Sequence, residues 1–437
     1  MASSINILTL NCWGLKYVAK DRRQRIDGIA SRIAESNYDI VALQELWVFS
    51  DFEHVRNSVS KRLPYAKFFY SGALGAGLAL LSKFPIISAS IHPYSLNGHP
   101  VDVAGGDWIV GKAAASIVVT HPILGEVEFF NTHLFAKGGE VGPEHLRAHR
   151  LVNAWEFAKR VRESAAVGRY VIAAGDFNSI PTTLPMALIR EHADLEDAWV
   201  AAHGPEPSPD AYIGAITPED AISRFGVTAD SPLNSYSAGK PLDATARKHL
   251  GKRLDYILYR QPFAHDPSSP SLKCTSCRVA FADKVPGHSF SYSDHFGLEA
   301  TIEIVTEPTQ RVDLAGSTPI FRSPTSLEYD SIRSVSRALT ACYRVSTHRS
   351  RVELSLFAIC IAILLAIAVG SAWLPHSWIN PIFILFTVFV SWLGTTMLYA
   401  GFIYGNWERR ALTNVIEELE IAVNYKRMQD NSNSNGI

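Results

Sequence analysis

Residues 170–178 read YVIAAGDFN, a short run of apolar and small residues that stops on Asp176 and Asn178. A β-rich run ending on a carboxylate and an amide reads as a buried strand that delivers polar groups to a sheet edge. The same pattern recurs along the chain. ILTLN (7–11) closes on Asn11, DIVALQE (39–45) on Glu45, and VEFFNTH (127–133) on Asn131 and His133. LDYILYR (254–260) carries Asp255, and HFGLEATIEI (295–304) follows Asp294 and begins with His295. AGLALLS (76–82) and AASIVV (114–119) read as further strands, and helical spacing occurs at about 22–36, 143–167 and 183–192. Strands often follow one another directly. A two-sheet α/β sandwich is therefore expected, rather than one parallel sheet.

A lone Asn or Asp at a strand end is usually a turn former. Carboxylates, amides and imidazoles placed there repeatedly imply one shared cleft. Glu45 suits Mg²⁺, which prefers carboxylate and amide oxygens and retained waters. A histidine backed by a carboxylate can take a proton from water. Together these groups suit metal-assisted hydrolysis of a phosphodiester. No Cys/His cluster suits a structural zinc, and Cys274 and Cys277 form a CxxC without a partner pair. No GxSxG elbow supports a serine nucleophile.

Formal net charge is −1, from 41 basic and 42 acidic residues, which argues against a nucleic-acid partner held by bulk positive charge. Five cysteines in 437 residues exclude a disulfide-dense scaffold. The N-terminus lacks the basic and long apolar regions of a signal peptide. The C-terminal part differs from the rest: from Leu354 to Trp407 there is no Asp, Glu, Lys or Arg. Two apolar runs, 354–374 and 381–404, each reach the ~20 residues that cross a bilayer, with PHSWIN between them. Trp373, Trp378, Tyr399, Tyr404 and Trp407 lie near the ends, as an interfacial belt would. Arg333, Arg337, Arg344, Arg349 and Arg351 precede the hairpin and Arg409 and Arg410 follow it, so both flanks are expected in the cytosol. These arginines could also meet anionic phospholipids as activators. The endoplasmic reticulum is the favoured organelle, with mitochondrial or plasma membrane as alternatives. The expected organisation is a catalytic unit over 1–304 and a linker and juxtamembrane segment over 305–352. Two membrane helices over 353–407 and a cytosolic tail over 408–437 follow. Residues 201–250, rich in Pro, Gly, Ala and Ser, read as an insertion beside the site.

The ordered set LNCWG (10–14), LQE (43–45), NTH (131–133), GDFNS (175–179), LDYI (254–257) and SDH (293–295) resembles the endonuclease/exonuclease/phosphatase fold typified by deoxyribonuclease I. The spelling LNCWG, with LQELW (43–47), GAGLALLSKFPI (75–86) and the hairpin, resembles the neutral sphingomyelinase family, closest to its fungal branch of inositol phosphosphingolipid phospholipases C. The resemblance implies a four-layer α/β sandwich followed by a transmembrane hairpin. It implies Mg²⁺, with Mn²⁺ as a substitute, on Glu45 with Asn11 beside it. His295 would be the general base, oriented by Asp255. Asp176 would orient the nucleophile, and Asn178, Asn131 and His133 would polarise the phosphate. Asp294 would support the metal or the histidine. The substrate would be a phosphosphingolipid in a bilayer, cleaved to ceramide and a phosphorylated headgroup.

GDWIVGK (106–112) matches most of a P-loop, but Ala113 replaces the Ser or Thr and AASIVV behind it reads as strand, not helix. By the resemblance, Asp107 and Lys112 belong to an activation loop near the site. Other readings of the same fold are an inositol-polyphosphate phosphatase or a nucleic-acid endonuclease. A non-catalytic membrane scaffold is the non-enzymatic alternative.

Overall fold

The computed structural model describes residues 3–103, 106–138, 142–205, 216–266, 268–306 and 327–434. Residues 307–326 of the expected linker and juxtamembrane segment, and the part of the 201–250 insertion from 206 to 215, lie outside them. The strands are β1 (Ser4–Asn11), β2 (Ile40–Gln44), β3 (Tyr65–Phe68), β4 (Ala79–Ser82), β5 (Ile86–Pro93), β6 (Ala113–His121), β7 (Gly125–His133), β8 (Tyr170–Asp176), β9 (Glu196–Asp197), β10 (Asp255–Arg260), β11 (Ser271–Ala280) and β12 (Gly297–Val305). They form two six-stranded sheets, ordered β11-β12-β1-β2-β4-β3 and β5-β6-β7-β8-β10-β9. The eight strands read from sequence are all present. The structure adds β3, β5, β9 and β11.

Helices α1 (Arg22–Glu35) and α2 (Phe49–Val59) cover the first sheet, and α3 (Glu144–Ala166) covers the second. The central core lies between the sheets, where Ile5, Ile7, Ala42, Ile117, Phe129, Ile172, Ile257 and Leu298 meet. Helix, sheet, sheet, helix is the four-layer sandwich expected. Short helices α4 (Leu184–Ala187), α5 (Ala198–His203), α6 (Pro218–Phe225) and α7 (Ala244–His249) sit in the connections. Cys274 and Cys277 are buried in the inter-sheet core, which accounts for them as packing.

The C-terminal helices are longer and better anchored than the sequence suggests. Helix α8 (Tyr329–Gly370) runs without a break through the expected juxtamembrane segment into the first apolar run. Helix α9 (Asn380–Leu398) continues through a π-turn at Tyr399–Tyr404 into α10 (Gly405–Ser434). Ile332, Val335, Leu339 and Cys342 of α8 and Leu412, Val415 and Leu419 of α10 are buried in the same cluster as Leu151, Trp155 and Phe157 of α3. At about 1.5–3 kcal/mol per buried aliphatic side chain, this packing makes the flanks of the hairpin part of the catalytic unit's outer layer. Residues 329–350 and 408–422 are therefore domain structure, not a tether and a free tail.

Beyond that junction the helices stand clear. Leu365, Val369, Ile384, Leu385 and Trp392 are exposed, and the apolar stretches are long enough to cross a bilayer. They meet through small residues. A Cβ on Gly394 would lie 3.1 Å from the Cβ of Cys360, and one on Gly401 would lie 2.9 Å from that of Glu353. An uncovered apolar hairpin rooted in a folded domain supports an integral-membrane topology.

Candidate active site

β1 and β2 pair in parallel with Asn11 opposite Gln44, so Asn11 and Glu45 leave neighbouring strands at the same edge. In the second sheet Asp176 of β8 lies opposite both His133 of β7 and Asp255 of β10. The edges face one another, and Asp176 is the hub. Its Oδ2 accepts from Asn11 Nδ2 at 3.0 Å and lies 3.4 Å from His133 Nε2 and 3.9 Å from His295 Nε2. Asn11 Nδ2 is also 3.4 Å from Glu45 Oε1. His295 Nδ1 and Asp255 Oδ2 are 2.9 Å apart.

Burial and charge set the protonation states. For Glu45, burial first and then Asp294 push the carboxyl up, and burial likewise raises Asp176. Burial alone would depress His295, but Asp255 and then Asp176 reverse this and hold the imidazole well above its usual range. His133 goes the other way: burial, then Lys112 and His295, hold it neutral, so its 3.4 Å approach to Asp176 is not an ion pair. Lys112 Nζ lies 3.2 Å from His133 Nε2, 3.0 Å from the Leu134 carbonyl and 3.0 Å from Asp107 Oδ1. Lys112 is buried, so the Asp107–Lys112 pair belongs to the floor of the cleft and not to a surface hairpin.

Asp176, Asp255 and His295 place ligand atoms within 4.8 Å of one another. With Glu45 and Asn11 beside them, this oxygen-rich set fits a hard divalent cation, which would compensate carboxyls that burial otherwise leaves crowded. A second group, His149, Cys342 and Glu408, fits a metal less well. His149 Nδ1 accepts from the Gly98 N–H at 2.9 Å, so Nε2 carries the proton and donates it to Glu408 at 2.8 Å. Burial pushes the Cys342 thiol up to about 12. This group ties α3 to α8 and α10.

Asn131 departs from its expected role. Its Nδ2 donates to the Leu43 and Ala79 carbonyls and its Oδ1 accepts from Gln44 Nε2 at 2.7 Å. The side chain is fully buried. It joins the two sheets beneath the site and does not present an amide to a phosphate. Asn178 is half-buried, with its backbone N–H on Asp176 Oδ1 at 2.9 Å and its Nδ2 on the Leu134 carbonyl. Asp294 is also half-buried and accepts from Ser293 Oγ.

Two arginines matter that the sequence does not single out. Arg25 of α1 is fully buried and donates to the carbonyls of Lys20, Cys12, Trp13 and Tyr292. It ties the turn after Asn11 to the loop before Asp294 and His295. Arg150 of α3 donates to the Asn178 carbonyl from behind. Backbone strain gathers at the same edge: Trp13, Glu45 and Asn178 have φ of 44°, 52° and 47°, the left-handed region. Around them the sequence shows only helical spacing, at about 22–36 and 143–167, which does not reveal that either is buried.

The Endonuclease/Exonuclease/phosphatase family model matches residues 8–295. The chain is 33% identical over 423 residues to an inositol phosphosphingolipids phospholipase C of Schizosaccharomyces pombe, covering 96% of this chain and 94% of that one. It is 31% identical over 451 residues to the protein of the same name in Saccharomyces cerevisiae, covering 96% and 90%. It is 34% identical over 309 residues to a putative neutral sphingomyelinase of Caenorhabditis elegans, covering 69% and 67%. The chain thus belongs to the endonuclease/exonuclease/phosphatase family, as a relative of the fungal inositol phosphosphingolipid phospholipases C and the neutral sphingomyelinases.

Proposed function

We propose that this chain is a membrane-anchored, Mg²⁺-dependent phospholipase C that hydrolyses phosphosphingolipids to ceramide and a phosphorylated headgroup. The observation that carries the reading is the convergence of Glu45, Asn11, Asp176 and the His295–Asp255 pair from two sheets on one cleft, in a domain rooted in an apolar hairpin. His295 in its neutral form takes the proton from the attacking water: a divalent cation on the neighbouring carboxylates would offset the negative charge that otherwise keeps the ring protonated, and Asp255 fixes the ring and stabilises the cation once formed. Lys112 supplies positive charge for the non-bridging phosphate oxygens, with neutral His133 and Asn178 beside it. Asp176 holds Asn11 in place and, with Asp255, sets the charge on His295. Mg²⁺ held by Glu45 and Asn11 would supply Lewis-acid stabilisation of the phosphate and the departing alkoxide. The hairpin keeps this cleft near its bilayer substrate.

Inositol is favoured over choline as the headgroup. Trp13 and Tyr236 form an edge-on pair with ring centroids 4.9 Å apart at the turn that follows Asn11. The Arg25 guanidinium already lies against both rings, at 4.9 and 5.6 Å. On that side the pair is no cage for a quaternary ammonium. The full-length relatives named as inositol phosphosphingolipid enzymes point the same way. The flanking arginines support a cytosolic domain and termini, with the endoplasmic reticulum as favoured membrane. Arg349 and Arg409 are engaged inside the α8–α10 junction, with Glu408 and with Ser350, and Arg333 pairs with Asp330; among the described residues this leaves Arg337, Arg344, Arg351 and Arg410 for contact with activating anionic lipid.

The test offers the purified full-length protein an inositol phosphosphingolipid and sphingomyelin in mixed micelles with Mg²⁺. Ceramide release is expected from both, faster from the inositol lipid, and Glu45→Ala or His295→Ala abolishes it. Ceramide release by both variants at the wild-type rate would overturn the site assignment.

A further inference from the structure

His295 and Asp255 come from different sheets. Asp255 opens β10 of the second sheet, and His295 lies just before β12 of the first. β10 pairs with β8 and β9, and β12 with β1 and β11, so no strand ladder holds the 2.9 Å contact between the two side chains. Nor does a second hydrogen bond steer the carboxylate. Asp255 Oδ1 is buried with no partner among the described residues, and Oδ2 is bonded to His295. The geometry of the pair therefore follows from where the two backbones are placed.

Thr228 stands between those backbones, in the stretch of the Pro/Gly/Ala/Ser-rich insertion that follows α6, and it is fully buried. Its carbonyl accepts from the N–H of Phe296, the residue after His295, at 2.7 Å. Its Oγ1 accepts from the N–H groups of Leu254 at 3.2 Å and Asp255 at 3.3 Å. The N–H groups of Thr228 and Ala229 donate to the Lys252 carbonyl at 2.9 and 3.0 Å, and the Lys252 N–H returns to the Ala229 carbonyl at 2.8 Å. Ala229 forms a second antiparallel bridge with His295. Thr228 and Ala229 thus make a rung between the entries to β10 and β12. The close approach depends on Gly251, which has φ of 132° and where a Cβ would fall 2.3 Å from Val227 Cγ1. A few residues on, Asn234 Nδ2 donates to the Ser293 carbonyl at 2.9 Å, so the same segment also holds the loop before His295.

We infer that Thr228 is a positioning residue for the general base: its hydroxyl and carbonyl together set the separation of Asp255 and His295 across the two sheets. The inference rests on the phospholipase C reading of this site. The bond to Phe296 is made by the backbone and survives a change of side chain. The bonds to Leu254 and Asp255 belong to the hydroxyl. Valine has the shape of threonine with a methyl in its place, so Thr228→Val leaves both N–H groups facing an apolar atom and frees the start of β10 to shift. A misplacement of about 1 Å in a catalytic pair can cost about 10²-fold in rate.

Full-length Thr228→Val, Thr228→Ala, Thr228→Ser, Asp255→Asn and the Thr228→Val/Asp255→Asn double variant are compared with wild type on an inositol phosphosphingolipid in mixed micelles with Mg²⁺. Near-ultraviolet circular dichroism checks that each is folded. Thr228→Val should lower kcat by about 10–10²-fold with KM within about twofold. Thr228→Ala also lacks the hydroxyl and should show the same fall, so the test stands if one of the two variants does not fold. Thr228→Ser keeps Oγ and should stay within about threefold of wild type. In the Asp255→Asn background, Thr228→Val should cost less than about threefold, because a residue that acts through the Asp255 carboxylate then has nothing left to position. A fall confined to KM, wild-type kcat without the hydroxyl, an equal fall in Thr228→Ser, or losses that multiply in the double variant would each overturn the inference alone. No ceramide release by wild type would instead overturn the phospholipase C reading, and this inference with it.

Discussion

Asp255 Oδ2 lies 2.9 Å from Nδ1 of His295, and the other ring nitrogen of His295 faces the Asp176 hub at 3.9 Å. The carboxylate thereby fixes which nitrogen is presented to the cleft. Asp255→Asn keeps the size of the side chain but removes its charge. Turnover should fall by about 10²–10⁴-fold, the range of a lost general-base function, while substrate KM changes little. Single-turnover ceramide release measures it, and a drop confined to KM would refute the assignment.

Arg25 makes four carbonyl contacts from a fully buried position. Arg25→Met leaves those carbonyls unpaired, and stability should fall by about 3 kcal/mol. Arg25→Lys should not restore it, because an ammonium cannot reproduce the planar fork. Thermal unfolding in detergent checks the loss. Wild-type stability in either variant would mean that the clamp is dispensable.

His192 is stacked on Trp155 with ring centroids 4.2 Å apart. Burial, then Arg162 and Lys159, lower its pKa from 6.5 to about 3. The unfolded chain binds this proton at higher pH than the folded one. The stability contribution is therefore complete above pH ~6.5 and is lost as pH falls from there towards ~3. At pH 5.5 the loss is about 1.4 kcal/mol, or a few degrees in melting temperature. His192→Gln should lose less than wild type between pH 7.5 and 5.5, and identical slopes would contradict the linkage.

Glu408 is buried at the start of α10, between His149 of α3 and Arg349 of α8. Burial would raise its pKa, but the His149 hydrogen bond and the Arg349 charge bring it down to about 2. Glu408→Ala leaves both partners facing a buried gap. A cost of about 3–5 kcal/mol is expected for breaking a buried pair. Limited proteolysis should then cut α10 faster while the sheets resist, and an unchanged digestion pattern would show that apolar packing alone docks the hairpin.

The part of the site that comes from strand ends was legible, because a strand that turns abruptly from apolar to polar marks its own edge. Asn11, Glu45, His133, Asp176, Asp255 and His295 were found in this way, and the structure brings them together. Asn131 obeys the same local rule yet faces the seam between the sheets, and only its partners Leu43, Gln44 and Ala79 reveal that. β5 was missed because it is a largely exposed edge strand with no apolar alternation. Helix α2 was missed although Phe52, Val55 and Val59 form its buried face, a stripe too short to stand out.

The amino-acid order alone pointed to the two-sheet sandwich, to the polar residues at its strand ends and to the apolar hairpin, because each is written in local periodicity and composition. Tertiary structure decided what crosses between elements. Arg25 and Arg150 became internal clamps, and α8 and α10 joined the outer layer that α3 forms. These are relations between residues up to hundreds of positions apart, and a one-dimensional pattern carries no distance.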